Sequence, residues 1–311
     1  MPSLPDRVGL SRDLSGPEWT HRFANGLVIH TEPLLKADSL RILPIGGPQG
    51  ALMNHLLGFR ERVAGKQVFE PFAGSGAIGL MAIKAGARHV DLLDVNPRAA
   101  EFQRRNAEAS GIAPTEFTSI IADLSTWAPT APYDLLLANP PFVPTPAEMT
   151  GSLTSNGGPD GNHFAEMLLR RMDTWVQPTG EALIFLLQLV PDEVPLVLPL
   201  ARELLPRRPV RATPTQRRAI PFETYVDAYR STFGADRDAI DAWAGSQTRR
   251  HGSALSISHY VLHVLPEGPG ESMVCDDFAE KFGEAFWTPT EDLAELAVAR
   301  VLENLVPEPS A

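Results

Sequence analysis

Residues 66–95, KQVFEPFAGSGAIGLMAIKAGARHVDLLDV, decide the fold. The stretch opens on a short apolar run that ends near Glu70. It turns through a glycine-rich loop, continues with helical spacing, and closes on a second apolar run ending in Asp94. Strand, glycine loop, helix, strand is the βαβ unit of a parallel sheet.

The same alternation continues downstream. PRAAEFQRRNAEAS (97–110) is expected to be a helix, with Asn96 as its N-cap, Pro97 in its first turn and Gly111 as its stop. FTSIIADL (117–124) and YDLLLA (133–138) read as strands. A helix is expected near 163–176, then the strand GEALIFLLQLV (180–190). Strands apolar throughout, alternating with helices, belong to a parallel sheet covered on both faces.

The flanks are less regular. Upstream, HRFANGLVIH (21–30) alternates around Asn25-Gly26 as a hairpin does, and ALMNHLLGFRERV (51–63) has helical spacing. Downstream, residues 222–246 read as helical, ISHYVLHVL (257–265) as a strand, and TPTEDLAELAVARVLENL (288–305) as a helix opening on a capping box. The expected organisation is a lead-in over 1–65, a cofactor-binding core over 66–205, and a part over 206–311 with the last strands, a helical insertion and a C-terminal helix.

Composition bounds the function. Of 311 residues, 43% are hydrophobic and 21% charged, as in a globular protein with a full core. The net charge of −11 argues against a phosphate-rich partner, though not against a local basic patch. Cys275 is the only cysteine, which excludes an internal disulfide and a cysteine-based zinc site and fits a reducing compartment. MPSLPDRVGLSRD lacks the apolar run of a secretory leader, and ALIFLLQLV (182–190) is too short to span a bilayer, so a cytoplasmic protein without a membrane partner is expected.

Three acids, Glu70, Asp94 and Asp123, stand at the ends of successive strands and face one crevice, where open α/β sheets bind ligands. Glu70 with Gly74, Gly76 and Gly79 forms E-x-x-x-G-x-G-x-x-G, whose glycines let the backbone turn tightly and approach a ligand. Asp94 can accept hydrogen bonds from a ribose diol. Asp123 can accept from an adenine amino group or cap that pocket. A dinucleotide would set its pyrophosphate near the Glu70 carboxylate. S-adenosylmethionine carries no phosphate, and its cationic amino group suits an acid there.

LLLANPPFVP (135–144) ends the fourth strand in the same crevice. Pro140 and Pro141 have no N–H and a fixed φ, so their carbonyls are free acceptors on a stiff backbone. The Asn139 side-chain oxygen adds another acceptor. Acceptors held this way suit a substrate –NH2 group. Phe142 offers a face for a planar acceptor. The plainer alternative is a Pro-Pro turn with Asn139 as its starter.

Together EPFAGSGAIG, DLLDVNP, ADL and NPPF resemble a class I S-adenosylmethionine-dependent methyltransferase of the methyltransferase small domain type, over about residues 66–190. The resemblance implies a Rossmann-like, mostly parallel, seven-stranded sheet and S-adenosylmethionine as cofactor, with no metal. It implies that Glu70, Phe72, Ala73, Gly74, Ser75 and Gly76 hold the methionyl part, Asp94 with Val95 the ribose, and Asp123 with Leu124 the adenine. Asn139 touches both cofactor and acceptor. Asn139, Pro140 and Phe142 are the catalytic residues, and Pro141 and Phe142 meet the substrate.

NPPFVP followed by NGGPDGNHFAEMLL (156–169) resembles the release-factor glutamine methyltransferases. FAGSGAIGLMAIKAGA is more similar to small-subunit rRNA guanine methyltransferases, which usually carry Asp where this chain has Asn139. A protein or small-molecule acceptor is therefore expected ahead of a nucleic acid, with a non-catalytic cofactor-binding subunit as the reading from another class.

ARELLPRRPVRATPTQRRAI (201–220) holds six arginines against one glutamate. Arg207, Arg208, Arg211, Arg217 and Arg218 are candidates for an anionic substrate, with Arg217 and Arg218 taken as substrate residues, or they form a solvated edge of surface ion pairs. Tyr225, Tyr229 and Trp243 are expected in the core. His259 and His263, four apart on a strand, do not converge as metal ligands would on a helix.

Overall fold

Leu135 and Leu137 face one side of the central sheet, Leu136 and Ala138 the other, and both sides are buried. That is why the strand YDLLLA carries no polar alternation after its first two residues. A computed structural model describes residues 10–275 except 34, 35, 37, 39, 59, 148, 150–153 and 216–218.

The chain opens with the antiparallel strands β1 (Ser11–Asp13), β2 (Trp19–Arg22) and β3 (Val28–Thr31). Asn25 and Gly26 turn the β2–β3 hairpin, with Gly26 at φ +81°, as expected for this pair. Helices α1 (Gly47–Gly58) and α2 (Arg60–Val63) follow. The alternating core then runs β4 (Gln67–Pro71), α3 (Ala77–Lys84), β5 (His89–Asp94), α4 (Ala99–Ala109), β6 (Phe117–Ile121), β7 (Tyr133–Ala138), α5 (His163–Trp175) and β8 (Val176–Val190). After it come α6 (Val197–Leu204), β9 (Val210–Pro214), β10 (Ile220–Pro221), α7 (Phe222–Thr232), α8 (Arg237–His251), β11 (Ser256–Val264) and β12 (Met273–Val274).

In space the strands run β12-β9-β11-β8-β7-β4-β5-β6, with the short β10 beside β11. From β6 to β8 all neighbours are parallel. β11 lies antiparallel between β8 and β9. The seven long strands form the mostly parallel α/β sheet expected, and the two-residue β10 and β12 extend it. The strand order reverses between β4 and β7, so the loops after β4, β5, β6 and β7 open at one edge around a switch point.

Side chains complete the small N-terminal sheet. Asn106 Oδ1 accepts from His30 N at 2.8 Å, and Ser110 Oγ accepts from Val28 N at 2.9 Å. Asn106 of α4 and its C-cap residue Ser110 thus satisfy the open edge of β3 and fix the lead-in against the core.

Several boundaries differ from the expectation. Helix α4 starts at Ala99 with Arg98 as its N-cap, two residues later than expected; Asn96 Oδ1 still accepts from Arg98 N at 3.0 Å, as a capping side chain does, and its Nδ2 donates to Leu40 O at 2.8 Å. β6 stops at Ile121, and β8 begins at Val176 directly from α5. The helical region from 222 breaks at Phe233, where φ −121°, ψ 54° leaves the helix, and resumes as α8 to His251. The expected helix over 288–305 lies outside the described residues. No described helix is long and apolar enough to cross a membrane.

Candidate active site

The loop after β4 is forced into a tight turn by three residues in the left-handed region: Phe72 at φ 61°, Gly74 at 49° and Gly76 at 78°. The position at Phe72 is uncommon for a residue with a β-carbon. Ala73 N donates to Leu93 O at 2.9 Å, and Gly74 N donates to Asp94 Oδ2 at 2.7 Å, tying the turn to the end of β5. A side chain at Gly76 would meet Gln103 Cγ at 3.1 Å and Leu92 Cδ1 at 3.2 Å, so this glycine lets α3 start close against β5 and α4.

Glu70 is buried at 2% exposure, and its Oε2 accepts from Gly79 N at 2.7 Å. Burial raises its pKa to about 8, with the nearby Asp94 adding to the shift. Burial also raises Asp94, although Asn96 N and Gly74 N donate to its carboxylate. Asp123 is exposed, and hydrogen bonds from Ser125 hold it below the ordinary carboxylate range.

These groups line one cavity of about 410 Å³. Its wall brings together most of the residues expected from sequence: Glu70, Phe72, Ala73, Gly74 and Ser75 from the loop after β4, then Asp94 and Val95, Asp123 and Leu124, and Asn139 with Pro141. Gly76 stands behind the loop as described. Pro140 is buried, and neither it nor Phe142 is part of the wall. Phe142 is half-buried, and its ring meets Phe185 at 5.7 Å and His259 edge-on at 6.0 Å. Its ring packs on the sheet, so it is placed as a strut under the loop. Arg217 and Arg218 lie outside the described residues.

Asn139 Oδ1 is buried and has no hydrogen-bond partner among the described residues. An acceptor left unpaired in a ligand cavity costs free energy unless a ligand donates to it.

Other wall residues were not read from the sequence as part of the site. Arg41, Ile42, Leu43 and Gln49 come from the lead-in, Thr154 from the segment leading into α5, and His163, Phe164 and Met167 from the start of α5 itself. Arg41 is 2% exposed, and its Nη1 donates to Asp38 O at 3.3 Å. Its segment is pinned by Ile42 N donating to Glu32 Oε2 at 2.8 Å and by Arg98, which pairs with both Glu32 and Asp38. Phe164 meets Phe72 edge-on at 5.2 Å, so α5 and the glycine loop share an aromatic wall.

The arginine run divides. Arg207 and Arg208 both pair with Asp173 of α5. Arg208 is buried, and it also donates to the carbonyls of Val176, Gln177 and Gly180 at 2.9 to 3.1 Å. Arg208 is thus a structural cation, and Arg207 is an exposed one held in surface ion pairs with Asp173 and Glu267. Tyr225, Tyr229 and Trp243 are buried, as expected. His263 Nε2 lies 2.6 Å from Glu181 Oε2.

The lining fits S-adenosylmethionine. An acid beside the glycine loop suits a cationic amino group, Asp94 suits a ribose diol, and the apolar face of Leu124, Phe164 and Met167 suits a flat base. A pyrophosphate would instead stand against Glu70.

A model of the methyltransferase small domain matches residues 51–154. Over that stretch, which runs from α1 to beyond β7, the chain is similar to the methyltransferase small domain on a Rossmann-like sheet whose cavity suits S-adenosylmethionine. The chain is 26% identical over 122 residues to a Methanocaldococcus jannaschii protein provisionally named as a protein N5-glutamine methyltransferase, covering 38% of this chain and 60% of that one. It is 34% identical over 101 residues to the ribosomal protein L11 methyltransferase of Pseudomonas paraeruginosa, covering 31% and 33%. It is 28% identical over 127 residues to the tRNA1(Val) (adenine(37)-N6)-methyltransferase of Shewanella loihica, covering 39% and 52%. The chain therefore spans between a third and three fifths of the length of these relatives. Among solved structures, the Methanocaldococcus jannaschii tRNA m1G37 methyltransferase aligns with a TM-score of 0.46 and 12% identity over 82% of this chain and 58% of that one.

Proposed function

We propose that the protein transfers a methyl group from S-adenosylmethionine to an amide or amino nitrogen of a planar acceptor, a protein glutamine or a small molecule. The observation that carries this reading is the buried, unpartnered Oδ1 of Asn139 in the wall of the cavity, at the end of β7.

Bound S-adenosylmethionine supplies an electrophilic methyl group on a sulfonium. The protein's part is to present the nitrogen. Asn139 Oδ1 accepts one N–H of the acceptor, and the carbonyl of Pro140, which stands just behind the wall between the wall residues Asn139 and Pro141, takes the other. With both N–H bonds held, the nitrogen lone pair is left to face the methyl group. Positive charge that develops on nitrogen makes those N–H groups stronger donors, so both acceptors bind more tightly in the transition state. The released proton passes to water. The names of the relatives support both a protein amide and a nucleobase amine as acceptor classes. The chain's net charge of −11 favours the first.

The test is transfer of a labelled methyl group to a glutamine-bearing peptide and to an RNA hairpin with unpaired adenines. Label on the peptide amide is the expected result; label only on RNA moves the acceptor class to nucleic acid. Asn139→Ala should lower transfer on the order of a hundredfold or more, while the affinity for S-adenosylhomocysteine stays within a few fold. Transfer by Asn139→Ala at the unmodified rate overturns the reading.

A further inference from the structure

The helical hairpin α7–α8 stands outside the cavity, yet its polar bonds converge on the acceptor side of it. Trp243 Nε1 donates to Pro159 O at 2.8 Å, and Gln247 Nε2 donates to the same carbonyl at 3.3 Å. Tyr229 Oη donates to Pro144 O at 3.1 Å. Both targets are prolines, which bring a carbonyl and no N–H, so each offers the hairpin an acceptor on a stiff backbone. Trp243 and Tyr229 are about 5% exposed or less; the Tyr229 bond is buried, and the Trp243 bond is half-buried, since it ends on the exposed Pro159.

The two carbonyls belong to two strips of chain locked together. Val143 N donates to Ser155 O, Gly157 N to Val143 O, and Thr145 N to Gly158 O, all at 2.8 to 2.9 Å. A methyl group on Gly157 would stand 2.6 Å from the carbonyl carbon of Phe142, and one on Gly161 would stand 2.6 Å from Phe142 O. Residues 155–161 are thus pressed on the backbone three residues beyond Asn139. Below them, Val143 and Met149 share an apolar cluster with Phe222, Tyr225, Tyr229 and Trp243. The hairpin is itself anchored in the sheet by β10–β11 pairing and by Phe222 N donating to Leu255 O at 3.1 Å.

We infer that α7–α8 is the clamp of the acceptor loop and that Trp243, through its bond to Pro159 O, is a positioning residue for Asn139. The inference rests on the reading of Asn139 as the group that binds the acceptor nitrogen. The glycine loop, β5, β6 and the lead-in are not touched by this bond, and the clamped segment reaches the cofactor wall only through the start of α5, where His163 N donates to Gly157 O at 2.9 Å, so loosening the clamp acts on the acceptor more than on the cofactor.

Trp243→Phe removes the N–H and keeps a ring against Phe222 and Tyr229, which lie 5.3 and 5.9 Å away. In this variant amide hydrogen exchange should rise across 142–145 and 155–162. Transfer to the peptide or the RNA hairpin should fall on the order of fivefold in kcat, the size expected from one hydrogen bond, with a clearly smaller change in affinity for S-adenosylhomocysteine. Unchanged exchange in those segments overturns the clamp, and so does an equal loss of cofactor affinity. If the unmodified protein methylates neither probe, the proposed acceptor class fails, and the exchange measurement still decides the clamp. Tyr229→Phe, which removes the bond to Pro144, gives the same comparison should Trp243→Phe not fold.

Discussion

Gly79 N–H donates to Glu70 Oε2 at 2.7 Å, and a methyl group at Gly79 would stand 2.6 Å from that same oxygen. It would also lie 2.5 Å from Leu92 Cδ2 and 2.8 Å from Val90 Cγ1. The third glycine of the loop pattern therefore serves contact between α3, β5 and the buried acid. Gly79→Ala should destabilise the fold by about 1–3 kcal/mol, as overpacking does, and weaken S-adenosylhomocysteine binding by displacing Glu70. Urea denaturation and calorimetry check both effects.

Glu70 links cofactor binding to pH. In the free protein its pKa of about 8 means that the folded state keeps a proton that the unfolded chain releases above 4.5. This contribution therefore falls as pH rises from 4.5 to 8. A bound amino cation favours the carboxylate, so binding at pH 6–7 should release a proton. Titrations in buffers of different ionisation enthalpy should detect it, and Glu70→Gln should abolish it. Binding with no proton exchange would mean that the cation lies elsewhere.

His259 gives the opposite slope. Burial lowers its pKa to about 3, against an ordinary 6.5. The unfolded chain takes up a proton below 6.5 that the folded state refuses, so stability is lost as pH falls from 6.5 towards 3. His259→Phe keeps a ring beside Phe142 and Phe185, and should reduce the dependence of unfolding free energy on pH between 7 and 5 by about one proton. His21, lowered to about 4 by burial, leaves a residual slope of the same sign.

Arg208→Met should cost about 3–5 kcal/mol, because it strands the carbonyls of Val176, Gln177 and Gly180 and leaves Asp173 with Arg207 alone. Thermal unfolding is the measurement. An exposed substrate-binding arginine would give an unchanged melting temperature and a raised KM instead.

The cofactor side of the cavity was legible in the sequence because its parts are local. A glycine loop, an acid at a strand end and a Pro-Pro stop each follow from a few adjacent residues. Arg41 and Gln49 were not legible, since their place in the wall depends on bonds such as Asn96 to Leu40 O, between segments 56 residues apart. The role of Arg208 was hidden for the same reason: a run of arginines looks alike whether it faces water or three backbone carbonyls. Phe142 shows the limit from the other direction. Its motif fixed the path of the backbone at 139–142, whereas the direction of its ring was set by Phe185 and His259, which arrive from β8 and β11.

β11 reaches its place between β8 and β9 only after both have been synthesised. Until Ser256–Val264 emerges from the ribosome, two strands face each other across a missing neighbour, each with an unpaired edge. The hairpin α7–α8 is tethered to that strand, so Asn139 gains its full bracing only once β11 is in place. A chain stopped before residue 256 would hold every residue expected to bind the cofactor and still present an open seam to chaperones and proteases.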